Sequence, residues 1–184
     1  MDGDAIEKAV VQMIKAFGED PAREGLKDTP RRIAEMYKEI FAGLALDPVE
    51  ELMVGFEEGH REMVILKDIP FYSMCEHHFL PFYGVVHAGY IPNGRVVGIS
   101  KIVRVVEIFA KRPQLQERLT TQIAETINSA LKPRGVAVVI RAEHLCMTMR
   151  GIKKPGTNIM TSAMRGQFQE SEATRSEFLS LIRD

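Results

Sequence analysis

The chain holds two cysteines, and each has histidine close by: Cys75 in Cys75-Glu76-His77-His78 and Cys146 in His144-Leu145-Cys146. Cys75 and His78 stand three positions apart, a separation that one tight or helical turn closes so that thiolate and imidazole reach the same metal ion. A third soft ligand is then needed, and Cys146 is the other cysteine of the chain. A site assembled from both clusters requires a fold that carries two distant segments to one place. In a reducing compartment two cysteines fit free thiols or metal ligands better than a structural disulfide.

Two thiolates and one imidazole leave the fourth tetrahedral position of a zinc ion for water, the arrangement of catalytic rather than closed structural zinc. Zinc brings the pKa of a bound water down to about 7, so that hydroxide becomes available to attack an electrophilic carbon. The chemistry indicated is hydrolysis. C-x2-H alone arises by chance, and its force comes from coupling to H-x-C; a structural zinc site and unrelated buried cysteines are the competing readings. His77 and His144 stand beside the ligands, and imidazole titrates near enough to neutrality to give and take protons. Either could instead be the ligand itself. His60 and His87 lack such a context and read as structural.

A length of 184 residues suits one domain with its own core, and 45% hydrophobic with 27% charged residues is ordinary for a globular chain. A formal net charge of -1 argues against bulk electrostatic nucleic-acid binding, so any anion site must be local. The start, Met-Asp-Gly-Asp, has no signal-peptide pattern, and no apolar run is long enough to span a bilayer; a cytoplasmic chain with no membrane partner is the expectation.

Ile6, Ala9, Val10, Met13, Ile14 and Phe17 recur at helical steps and mark an amphipathic helix ended by Gly18. Asp28-Thr29-Pro30 reads as an N-cap with proline at the helix start, opening a second helix that Gly43 could stop. Asp47-Pro48 reads as a loop, and Met63 to Leu66 as a buried strand leading to Cys75. Asn93-Gly94, between Val85–Ile91 and Arg95–Ile99, predicts a hairpin. Ser100 is expected to cap a helix from Lys101 to Ala110, and Leu115, Leu119, Ile123, Ile127 and Leu131 mark another that ends at Lys132-Pro133. These two helices should cover one face of a sheet. Gly135 to Arg150 reads as a long strand or strand pair that puts His144, Cys146, Thr148 and Arg150 on one face, followed by a polar stretch and a last helix from Ser171. Hairpins rather than alternating β-α units favour an α+β antiparallel sheet.

Ser100 and Lys101 open a helix, where free N–H groups and the dipole favour phosphate, and Arg104 lies one turn on. Arg150 joins from the metal-bearing segment. A solvated basic helix start is the alternative. Glu117 could pair with the adjacent N–H groups of a guanine edge, or be a helix surface charge. Arg31 and Arg32 lie in a first helical turn, where cations are disfavoured, and are either solvated or in contact with an anion.

Cys75-Glu76-His77-His78, Gly98-Ile99-Ser100-Lys101 with Arg104, Arg112-Pro113-Gln114-Leu115-Gln116-Glu117-Arg118-Leu119-Thr120 and His144-x-Cys146 with Arg150-Gly151 together resemble GTP cyclohydrolase I. Gly25-Leu26-x-x-Thr29-Pro30-x-Arg32 and Thr174-Arg175-x-Glu177-Phe178 extend the resemblance over nearly the whole chain. Asn158-Ile159-Met160-Thr161 is less threonine-rich than the family's pattern at that loop. The resemblance implies a T-fold, an antiparallel sheet backed by two helices, with pentamers closing a barrel and two pentamers stacked as a homodecamer. It implies one domain over residues 1–184, with an N-terminal helical part over 1–45 and a T-fold catalytic part over 60–184.

The resemblance assigns zinc to Cys75, His78 and Cys146, proton transfer to His77 and His144, the guanine ring to Gln116 and Glu117, and the triphosphate to Ser100, Lys101, Arg104 and Arg150. Sites at subunit interfaces are implied, with an arginine of Pro30-Arg31-Arg32 reaching a neighbour's triphosphate. The implied reaction is zinc-dependent hydrolysis of GTP at C8, with loss of formate and rearrangement to 7,8-dihydroneopterin triphosphate, the first step of tetrahydrofolate or pterin synthesis. Two rivals are weighed against it. A zinc nucleobase deaminase would match His60-Arg61-Glu62 but needs a C-x-x-C that the sequence lacks. A non-catalytic, zinc-stabilised T-fold module that binds a purine or pterin explains the metal but not His77, His144, Lys101 and Arg104 together.

Overall fold

The computed structural model describes residues 1–183, and the chain divides into two compact units, Met1–Ala42 and Gly43–Asp184. In the first unit, α1 (Gly3–Ala16) begins where the Asp2 carboxylate accepts a hydrogen bond from the Ala5 N–H at 3.0 Å. It packs on α2 (Thr29–Ile40), with Val10 and Ile14 buried on α1 and Pro30 and Ala34 buried on α2. Asp28 stands at the N-cap position without a side-chain capping bond; its carboxylate lies 3.6 Å from the Arg32 guanidinium instead. The helix ends before Gly43, which lies in a 3-10 turn at Ala42–Ala45.

The second unit continues with α3 (Pro48–Met53), β1 (Gly55–Glu57), β2 (Val64–Cys75), β3 (Pro81–Ile91), β4 (Arg95–Val97), α4 (Ile99–Ala110), β5 (Pro113–Gln114) and α5 (Gln116–Leu131). Then come β6 (Gly135–His144), α6 (Leu145–Thr148), β7 (Asn158–Gly166), α7 (Gln167–Glu170) and α8 (Glu172–Leu181). The main sheet runs in the order β5-β2-β3-β6-β7, antiparallel except for the two-residue parallel contact of β5 with β2. It is an α+β fold of T-fold type. As the apolar periodicities require, α4 and α5 cover one sheet face: Val105, Val106, Leu119, Ile123 and Ile127 share a core with Val86, Ala88, Val136, Val138 and Ile140. On the other face Phe178 of α8 packs with Phe168, Ala137 and Val139. His87 is buried there, with its Nδ1 accepting from the Asp68 N–H at 3.1 Å, the structural role expected of it.

Several local expectations give way. Asn93-Gly94 does form a turn, with Gly94 at φ +85°, but the chain does not fold back on β3. Both edges of β3 are taken by β2 and β6, so β4 pairs with β1 in a separate two-stranded sheet. The Asp47-Pro48 loop is the start of α3: the Asp47 carboxylate accepts from the Val49 N–H at 2.9 Å and proline follows at the first turn. Helix α4 starts two residues early, with Gly98 as its N-cap, so Ser100 lies inside the first turn. The long strand ends at His144, because residues 145–148 turn helically, and alternation no longer relates His144 to Cys146. The stretch read as polar contains β7, an edge strand that hides a period-two pattern among threonine and serine.

The β3–β6 register carries the metal-bearing ends of the sheet, and it depends on Gly84 lying against Arg141 and Ala142. A Cβ on Gly84 would meet the Arg141 carbonyl oxygen and come within 2.7 Å of the Ala142 Cα, both parts of a paired strand that cannot yield cheaply. Gly84→Ala is expected to cost about 3 kcal/mol or more, read as a lowered denaturant midpoint at unchanged slope. An unshifted midpoint would contradict this register.

Candidate metal centre and active site

Cys75 is the last residue of β2 and is buried. Its carbonyl accepts from the Phe79 N–H at 2.8 Å, and Phe79 takes φ +48°, so the chain rises out of the strand through one helical turn and closes. That turn returns the exposed His78 to the cysteine it follows. Two strands away, β6 ends at His144, paired across from Phe82, and the α6 turn places Cys146 half-buried beside Cys75. The ligand atoms of Cys75, His78 and Cys146 all lie within 4.8 Å of one another.

The donor set fits zinc on chemical grounds. Burial and the neighbouring Cys75 push the Cys146 thiol above its ordinary value, while Arg150 acts weakly in the opposite direction. A bound dication reverses that preference at Cys146 by taking the sulfur as thiolate. The third donor, imidazole, completes a soft N/S set of the kind that selects zinc over magnesium or calcium.

The two neighbouring histidines are held differently. His77 is exposed, its ring 6.3 Å from that of His78 and perpendicular to it. His144 is clamped: its ring stacks on the buried Phe82 with centroids 4.6 Å apart, and its Nε2 lies 2.8 Å from Gln116 Oε1. Gln116 is itself buried, and its Nε2 faces the carbonyls of Ile140 and Ile159 and the Thr161 hydroxyl at 3.0 to 3.2 Å. Those acceptors fix the amide so that Oε1 points at the imidazole, and the His144 Nε2 carries the hydrogen. Burial pushes His144 below the usual histidine range, against the pull of the Glu117 carboxylate.

The remaining residues fall into two groups. Exposed Glu117, in the first turn of α5, acts electrostatically on His144, and exposed Arg150 acts on Cys146, so both charges lie at the metal cluster. Ser100, Lys101 and Arg104 open α4, where Lys101 and Arg104 face Glu51. No hydrogen bond or ion pair among the described residues links these three to the cluster. Arg31 and Arg32 are each paired within their own helix segment, with Glu35 and Asp28.

One supporting contact had no counterpart in the sequence reading. Arg118, in the first turn of α5, grips both oxygens of Glu76, donating from Nη1 to Oε2 and from Nη2 to Oε1 at 3.0 Å, and holds that carboxyl below its ordinary range. The Glu76 N–H also donates to the Gln114 carbonyl at 3.0 Å, so the metal-bearing turn is tied to β5 and α5. Both residues lie inside motifs quoted above, but only the fold shows that they meet.

The GTP cyclohydrolase I family model matches residues 6–183, which takes in the whole cluster and both helices beside it. The chain belongs to the GTP cyclohydrolase I family. It is 68% identical over 183 residues to GTP cyclohydrolase 1 of Dehalococcoides mccartyi, an alignment covering 98% of this chain and 97% of that protein. It is 63% identical to that of Carboxydothermus hydrogenoformans, covering 99% and 95%, and 56% identical to that of Halalkalibacterium halodurans, covering 100% and 98%. As a member of the family it is a hydrolase acting on GTP, with a Cys-His-Cys cluster able to coordinate the metal. No helix among its described residues is long and apolar enough to cross a membrane.

If the three residues hold the ion as thiolates and imidazole, zinc loading must release protons, and apparent affinity must fall as pH is lowered. Titration of metal-free protein against a chromophoric chelator is expected to show one zinc per chain, at least about tenfold weaker binding per pH unit below neutrality, and a loss of more than about a hundredfold in Cys146→Ser. A flat pH dependence would contradict thiolate ligation.

Proposed function

We propose that GTP is converted to 7,8-dihydroneopterin triphosphate and formate at the Cys75–His78–Cys146 cluster, with the neighbouring side chains in distinct roles. The observation that carries the reading is the clamped His144, a histidine next to a metal ligand with one ring nitrogen committed inward and the other left for chemistry. A zinc ion held by the three ligands supplies Lewis acidity that makes water nucleophilic near neutral pH.

His144 moves the proton at Nδ1, since Nε2 is engaged by Gln116. Its lowered pKa makes the protonated ring a stronger acid toward N7 of the purine, so a proton reaches N7 as water adds at C8; the ring then opens to a formamide, and a second hydrolysis releases formate. His77, exposed on the turn between Cys75 and His78, serves the later proton transfers of ring opening and formate release. Glu117 pairs with the adjacent N–H groups of the guanine edge. The Gln116 amide is occupied with His144, so its share in guanine recognition passes through its main-chain N–H at the start of α5, where helix donors lack intrahelical partners.

Ser100, Lys101, Arg104 and Arg150 take the triphosphate. Two cations and the N–H groups of the first turn of α4 suit anionic oxygens. The separation of Ser100, Lys101 and Arg104 from the metal cluster in contact terms supports sites built between subunits, in a homodecamer of two stacked pentamers. An arginine from Pro30-Arg31-Arg32 of another subunit would complete the anion site; both are solvent-exposed, and neither is held by more than a surface pair.

His144→Ala is expected to keep its zinc, measured by metal analysis, while formate release from GTP falls more than about a hundredfold. Normal turnover by that variant would remove the assignment. Glu117→Ala should raise KM for GTP and narrow the preference for guanine over adenine nucleotides in competition assays; an unchanged preference would exclude the carboxylate from base recognition.

A further inference from the structure

Glu51 belongs to none of the motifs above, yet its carboxylate faces the cations at the start of α4. Its Oε2 accepts a hydrogen bond from Lys101 Nζ at 2.9 Å and lies 3.6 Å from Arg104 Nη1. The Lys101 and Glu51 side chains are 26% and 23% exposed, whereas Arg104 is 59% exposed. The contact is built into the fold. Helix α3 is capped by Asp47, the next residue, Leu52, is fully buried, and the Arg95 guanidinium donates to the Met53 carbonyl. Glu51 is thereby presented to α4 from a fixed base while its own side chain still reaches solvent. The hydrogen bond from Lys101, with the charges of Lys101 and Arg104, holds its carboxyl below the usual carboxylate range.

We propose that Glu51 is an internal competitor for the phosphate site: in the unliganded chain its carboxylate takes the Lys101 ammonium and flanks Arg104, and GTP binds by displacing it. This rests on the reading of Lys101 and Arg104 as phosphate ligands. A carboxylate offers the same charge-assisted acceptor geometry as two oxygens of a phosphate. It costs binding twice. The Lys101 contact must be broken before the ammonium can turn to the ligand, and the displaced negative charge stays beside a ligand that carries several of its own.

The opposite role, a bracket that orders Lys101 and Arg104 for the ligand, would save side-chain entropy. That saving is lost once the Lys101 hydrogen bond to Glu51 is broken for the ligand, whereas repulsion acts on every charge of the triphosphate. An exposed ion pair contributes little and a less solvated charged hydrogen bond more, so release of Lys101 corresponds to a change of about threefold to tenfold in affinity.

The test uses the zinc-loaded full chain and inorganic tripolyphosphate as the probe, measured as a competitive inhibitor of formate release from GTP. Glu51→Gln keeps the volume and removes the charge; it is expected to lower the inhibition constant and the KM for GTP about threefold to tenfold, with a gain that shrinks as salt is raised. A tighter site is a result that damage to the fold does not produce. Lys101→Gln should weaken tripolyphosphate, and in the double variant the gain from Glu51→Gln should be reduced, because the competitor has lost its partner. An inhibition constant that rises or stays unchanged in Glu51→Gln overturns the proposal. If Lys101→Gln leaves tripolyphosphate unaffected, the phosphate reading itself fails, an outcome separable from the first. Should Glu51→Gln not load zinc, Glu51→Ser is measured in its place against the same two outcomes.

Discussion

Two thiols and an imidazole share one corner at the end of the β2–β3–β6 ladder, and the arrangement of the unit around them follows from that demand. Cys75 and His144 end strands that flank β3, and β3 is fixed to both by long antiparallel registers. The metal cluster is therefore set by main-chain hydrogen bonds, with only a helical turn after each strand to complete it. Sites on rigid elements hold their geometry better than sites on loops. Gly84 belongs to the same constraint, since it lets β6 approach where a side chain would push it away.

Around this corner α5 supports the site from three of its first residues. Glu117 turns outward as a charge, Gln116 turns inward to fix one nitrogen of His144, and Arg118 holds Glu76 on the metal-bearing turn. A single helix start thus sets the tautomer of one group, the conformation of a turn and the local field. The strands that Gln116 also touches, through the Ile140 and Ile159 carbonyls, tie β6 and β7 to the same point. Disturbance of this buried amide would leave the His144 ring nitrogen without its partner and loosen the tie between β6 and β7.

Most of this was legible in the chain where a residue's chemistry acts locally. The Cys75/His78 spacing and the H-x-C pair anticipated the cluster that the fold assembles, and the apolar steps of α4 and α5 anticipated their shared sheet face. The failures have a common cause in competition between local and long-range pairing. Asn93-Gly94 carries the local signal of a hairpin, but β3 had no edge left, and tertiary pairing decided. Strand alternation was extended through residues 145–148, where a helical turn breaks it. Helix α3 carries an aspartate-proline start like that of α2, but it is too short to show an apolar period, and the alternation of β7 is masked by its threonine and serine. The inward turn of Gln116 and the Arg118–Glu76 grip depend on packing between elements distant in the chain, which no spacing rule encodes.

The central claim is that this cluster, loaded with metal, opens the guanine ring and expels one carbon. Formate released from GTP by the purified protein, compared with a chelator-treated sample and the same sample after zinc is restored, measures it directly. The account expects formate in step with GTP consumed, lost on chelation and recovered with zinc. Intact GTP after prolonged incubation with demonstrably zinc-loaded, assembled protein would contradict it.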